Sequence, residues 1–172
     1  MKRKIITGAV IIVCFLLQCT IFNKLALGSI KPNLLIILTS SFGFMRGHKD
    51  GMVVGFFSGL LIDIEFGNLI GFYALIYTLI GFINGFFSQI YYDDDVELPL
   101  YMIAGSEFVY GLTVYIFMFL MRSEFDFIHY LGKIIIPELI YTMVITLGLY
   151  PLTLYINRKL EAEEKRSASK FV

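Results

Sequence analysis

Apolar and polar positions divide the chain into six greasy runs separated by short polar breaks, at about 5–22, 30–45, 51–66, 69–91, 98–121 and 134–157, followed by a charged tail at 158–172. The first run spans eighteen residues with Gln18 as its one strongly polar side chain. At 1.5 Å per residue that is about 27 Å of helix, enough to cross a bilayer. Pro32 suits the first turn of the second run. Runs two and three are short, so they cross only with snorkelling ends or a locally thinned bilayer; a re-entrant hairpin is the competing reading. The break between them, Arg46-Gly47-His48-Lys49-Asp50, carries four polar side chains in five residues and belongs in water. The expected fold is an all-α integral membrane protein: a compact bundle of six transmembrane helices over 1–157, with a charged cytoplasmic tail over 158–172.

Small residues interrupt the grease at regular intervals. Gly51, Gly55, Gly59 and Asp63 recur every four residues and share one slowly drifting helical stripe. This small-xxx-small spacing lets two membrane helices approach closely enough for van der Waals packing to hold them. Gly81 and Gly85, with Asn84 between, repeat it on the fourth run. The stripe of the third run either packs one helix inside the bundle or forms a groove for a helix of another chain, a second copy included. Asp63 must then face protein or a polar cavity, because a charged residue at mid-membrane costs about 2.5 to 3.5 kcal/mol on insertion scales.

Polar residues within the later runs follow the same logic. Glu138, Thr142, Thr146 and Tyr150 lie four apart and describe a stripe that lipid would reject, so it faces the bundle interior. Glu107 lies at a depth similar to Asn84, close enough for an amide–carboxyl hydrogen bond. Arg46 closes the inner end of run two, with no reason to reach Asp63 or Glu138. An ionisable group inside a membrane is by default a functional hypothesis; Glu107 and Glu138 are either hydrogen-bonded packing groups or parts of a pocket or partner contact.

Composition agrees with the pattern. Of 172 residues 58% are hydrophobic and 16% charged, and the mean hydropathy is +0.77, outside the balance of soluble domains. Formal net charge is zero, and no basic domain suits nucleic acid. Ten Lys and Arg lie at the amino end, the 46–50 break and the tail, against four on the opposite side (Lys24, Lys31, Arg122, Lys133). The positive-inside bias therefore puts both termini of this multi-pass membrane protein in the cytoplasm. Lys2-Arg3-Lys4 and the apolar run after it look like a signal peptide, but no small-residue cleavage site follows, so the segment reads as an uncleaved first span. The two cysteines, Cys14 and Cys19, read as packing rather than a disulfide framework.

Catalytic constellations are absent from the sequence. His48 and His129 fall in breaks on opposite faces, and no phosphate loop, metal-ligand spacing or nucleophile motif appears. Asp93-Asp94-Asp95 reads as a solvated turn rather than a metal site. No enzyme, no cofactor and no metal is expected; the tail KLEAEEKRSASK reads as a frayed amphipathic extension able to touch anionic membrane lipid.

Several residues together resemble a family, the rod shape-determining protein MreD of bacteria. They are Pro32-Asn33-Leu34-Leu35, Arg46-Gly47, then Gly51, Gly55-Phe56, Gly59-Leu60 and Asp63, and finally Gly67, Gly71 and Tyr73-Ala74-Leu75. The likeness is dense over about 32–85; elsewhere it amounts to hydropathy and length. It implies a non-enzymatic scaffold of the cell-elongation machinery, beside MreC, the actin-like MreB and a SEDS glycosyltransferase with its transpeptidase. It also implies a six-helix fold similar to the substrate-binding subunit of energy-coupling-factor vitamin transporters. That second likeness supplies the alternative function, a solute-binding transporter subunit. Such subunits show an Ala-x-x-x-Ala type stripe on the first helix, whereas here Gly8-Ala9 is followed by Ile12-Val13.

Overall fold

The computed structural model describes residues 2–26, 30–66, 69–89, 97–122 and 126–168, with the side chains of 2, 66, 118–122 and 165–168 outside that description. Gly67, the Asp93-Asp94-Asp95 turn and the tail cations Lys165, Arg166 and Lys170 therefore lie outside what is described here. Among the described residues the regular structure is helical: α1 Lys2–Lys24, α2 Leu34–Arg46, α3 His48–Phe66, α4 Phe72–Phe86 with a short 3₁₀ turn Phe87–Gln89, α5 Glu97–Arg122, α6 Phe127–Tyr130 and α7 Ile136–Ala168.

The break that the sequence assigned to water at 46–50 shrinks to a single residue. Gly47, at φ 89°, turns the chain between α2 and α3, and His48 already begins the next helix. A left-handed φ suits a residue without Cβ. A one-residue joint folds α3 back along α2.

Helix α2 forms the axis of the bundle. Every residue from Leu34 to Phe44 is buried, and α1, α3, α4, α5 and α7 all pack around it. Its thirteen residues give only about 20 Å, which lipid-facing helices could not use. Here the length suffices, because neighbours rather than lipid surround it. Leu34, Leu35, Ile36, Leu38 and Phe42 of α2 join Ile11, Cys14, Val54, Ile62, Ile76, Tyr77, Ile80 and Val114 in the main core. Ile37 and Phe44 make a smaller core with Ile103 and Tyr150.

Among the described residues four helical stretches are long and apolar enough to cross a membrane: Arg3–Lys24, Phe72–Gln89, Glu97–Phe117 and Phe127–Glu164. Helix α2 is apolar but short. Helix α3 is nineteen residues long but carries His48, Lys49 and Asp50 at one end and Asp63 and Glu65 at the other.

The last helical stretch differs from the break expected over 122–133 and the frayed extension expected after 157. Residues 127–135 are helical, and Leu131–Ile135 widen into a π turn that joins α6 to α7. Pro137 lacks an N–H and its ring would strike the carbonyl of Lys133 in a regular helix; a π turn at that place accommodates it. At the other end α7 runs on through the charged sequence to Ala168, so the segment expected to fray is a continuation of the last helix.

Candidate functional site

The two glycine stripes meet each other. A Cβ on Gly51 would collide with the Gly81 carbonyl, on Gly55 with the Tyr77 carbonyl, and on Gly59 with the Tyr73 carbonyl and Ala74 Cα. In the other direction, Gly81 presses on the Gly51 carbonyl and Gly85 on the His48 backbone. Helices α3 and α4 thus lie backbone to backbone, as small residues permit. The groove that the sequence offered to a partner's helix is filled by α4 of the same chain.

Asp63 ends the stripe with a defined task. Its carboxylate accepts hydrogen bonds from the backbone N–H groups of Gly71, Tyr73 and Ala74, at 3.0, 2.9 and 3.0 Å. These are the orphan donors of the first turn of α4, and the helix dipole favours negative charge there. The residue is 1% exposed. A buried charge is thus matched by three donors.

The entry to α2 is sealed in the same manner. Asn33 Oδ1 accepts from the Ile36 N–H at 3.3 Å and from the Tyr77 hydroxyl at 2.8 Å. Gln18 Oε1 on α1 accepts from the N–H groups of Leu34 and Leu35 at 3.0 and 3.4 Å, while the Asn33 N–H donates to Thr142 Oγ1 on α7 at 3.0 Å. A buried helix start needs such partners. Gln18 and Asn33 escaped the residue-by-residue reading as site residues. A lone amide in run one, and an Asn ahead of an apolar run, were the available signals.

Asn84 does not bond Glu107. Its amide donates to Ser106 Oγ at 2.7 Å and to the Ile80 carbonyl at 2.9 Å. Adjacent residues on a helix point about 100° apart, so Ser106 and Glu107 look different ways. Glu107 is buried toward Thr142 and Glu138 of α7, and neither carboxyl oxygen has a partner in hydrogen-bond geometry. On α7, Thr142, Thr146 and Tyr150 are buried and Glu138 is partly so.

Arg46 belongs to a charged cluster where the chain's two ends meet. Its Nε donates to Asn157 Oδ1 of α7, its Nη1 stands 3.9 Å from Asp50, and the guanidinium lies over Phe42, 5.4 Å from the ring centre. Arg3 of α1 bridges Asp50 at 2.8 Å and Glu164 at 3.0 Å, and Asn157 donates to Glu161 at 3.1 Å. The amino end, the α2–α3 joint and the end of α7 are thereby on one side of the bundle. Cys19 Sγ lies 2.9 Å from Glu65 Oε2, so this thiol is a donor as well as packing. Among the described residues no cluster of His, Cys, Asp or Glu is arranged to hold a metal ion.

A family model described as rod shape-determining protein MreD matches residues 2–160 of the 172. The chain belongs to the MreD family. The likeness noted over 32–85 thus extends through every helix of the bundle. No curated protein and no solved structure matches the chain. MreD membership implies a role in rod shape determination, in a family of shape-determining rather than catalytic proteins. Together with its apolar helices it makes this a membrane protein. Within this MreD-family chain the glycine face, Asp63, Gln18 and Asn33 are engaged in building the bundle.

Proposed function

We propose that the chain is a non-enzymatic scaffold of the cell-elongation machinery in the bacterial cytoplasmic membrane, with both termini in the cytoplasm. It maintains rod shape by binding MreC, and through it MreB and the SEDS glycosyltransferase with its transpeptidase. The observation that carries this reading is the family match across 2–160. The geometry agrees with it: Gln18, Asn33 and Asp63 are committed to helix starts, while large apolar side chains such as Ile140, Val144 and Leu147 of α7 and Phe108 and Val109 of α5 lie exposed on the outside. Such faces suit lipid or the single helix of a partner. We also propose the likeness of the six-helix arrangement to the substrate-binding subunit of energy-coupling-factor transporters.

The test is gentle solubilisation of the chain from cells, followed by mass spectrometry of the intact complexes. MreC is expected to leave the membrane with it. A preparation that retains a vitamin-sized solute and no MreC would overturn the scaffold reading.

A further inference from the structure

A cleft of about 650 Å³ opens between α1 and α3, floored by Phe42 of α2. Its walls are apolar, with Gly8 and Ile12 on one side and Val53, Phe57 and Leu61 on the other. Ile12, Val53 and Phe57 are each about half exposed, so the cleft opens outward. A Cβ on Gly8 would meet nothing within 4 Å, which leaves the gap unfilled on the α1 side. The volume falls in the range of small-molecule sites, about 300 to 1,000 Å³.

One end of this cleft is basic. Arg3, Lys4, Arg46 and Lys49 line it beside Asp50; Arg3 is already paired with Asp50 and Glu164, which leaves Lys4, Lys49 and Arg46 to meet an anion. Arg46 supplies the decisive detail: its side chain is only 6% exposed, Nε is taken by Asn157, Nη1 stands off Asp50, and Nη2 is buried with no partner. A buried guanidinium donor without an acceptor is costly, and the matching acceptor is an anion with several oxygens. From Lys49 to Leu61 the wall runs about 18 Å along α3, close to the roughly 15 Å of hydrocarbon in one leaflet.

We propose that this cleft seats an acyl chain of an anionic phospholipid, with the lipid's phosphate held at the mouth by Arg46, Lys4 and Lys49. A partner's helix fits less well. The cytoplasmic end of a membrane helix tends to be basic itself, so the basic mouth of this cleft would repel it. The proposal stands apart from the MreC reading, since it concerns lipid and not protein.

The test uses the full chain in mild detergent, with phosphatidylglycerol and phosphatidylcholine of equal acyl length added in competition and retention read by native mass spectrometry. The wild type is expected to keep phosphatidylglycerol preferentially. Replacing the exposed pair, Lys4→Gln with Lys49→Gln, should cut that preference roughly 30-fold, from about 1 kcal/mol per surface cation. Gly8→Phe should fill the cleft and abolish retention of both lipids. Should that variant fail to fold, a photo-crosslinking residue at Val53 decides the matter, with a phospholipid adduct expected in membranes. Equal retention of the two lipids, undiminished retention in Gly8→Phe, displacement by inorganic phosphate alone, or a protein adduct at Val53 would each overturn the proposal.

Discussion

At the scale of single residues, two buried acids have opposite standing. Asp63 caps α4 with three backbone donors, whereas Glu107 lies in the interior beside Thr142 with neither oxygen in good hydrogen-bond geometry. Removing an acceptor strands its donors, at about 1 to 3 kcal/mol for a buried group. Asp63→Ala should therefore lower stability by roughly 2 to 3 kcal/mol. Glu107→Gln keeps shape and hydrogen-bonding capacity and breaks no ion pair among the described residues, so its melting temperature in detergent should stay within a few degrees of wild type. Thermal unfolding of both variants compares them directly; a larger loss in Glu107→Gln than in Asp63→Ala would reverse the assignment. That Asp63 needed protein around it was legible in the sequence, from the price of a charge in grease. Its partners were not, because backbone donors eight to eleven residues downstream carry no side-chain signature.

At the scale of elements, the α3–α4 pair is held by missing side chains. Gly55 faces the Tyr77 carbonyl, with no room for a methyl group, while Gly148 on α7 faces open space. Gly55→Ala should cost about 1 to 3 kcal/mol through overpacking, and Gly55→Leu should prevent accumulation of folded protein. Gly148→Ala should be neutral or stabilising by up to about 1 kcal/mol, since Ala favours helix. Equal behaviour of the two alanine variants would show that the stripe does not govern packing. The four-residue spacing revealed both stripes, but not that they face one another; spacing fixes a face on one helix and says nothing of its neighbour. Elsewhere polarity misleads: His48, Lys49 and Asp50 look like a loop yet begin α3, and the charged residues after Asn157 continue α7.

At the scale of the whole molecule, Arg3, Arg46, Asp50, Asn157 and Glu164 gather the chain's two ends and its tightest joint on one side. The excess of Lys and Arg counted along the sequence is the ground for proposing that side as the cytoplasmic one. Epitope tags at both ends should accordingly be unreachable by antibody in intact spheroplasts and reachable after permeabilisation. Labelling of either end before permeabilisation would defeat this orientation. The even number of apolar runs predicted that the two ends lie on the same side. The ion pairs that hold them did not follow from it, since Arg3 and Glu164 are 161 residues apart.

The sheathing of α2 has a consequence for how the protein is made. Thr39, Ser40 and Ser41 sit at its middle with hydroxyls that find no partner, tolerable among close neighbours and poorly matched to oil. A nascent chain that has delivered only its first 66 residues to the insertion machinery has not yet received α4, α5 or α7 to wrap this rod. Biogenesis must therefore shelter an unfinished hairpin until later helices arrive, and a ribosome stalled in between leaves a fragment suited to proteolysis rather than to a career in the bilayer.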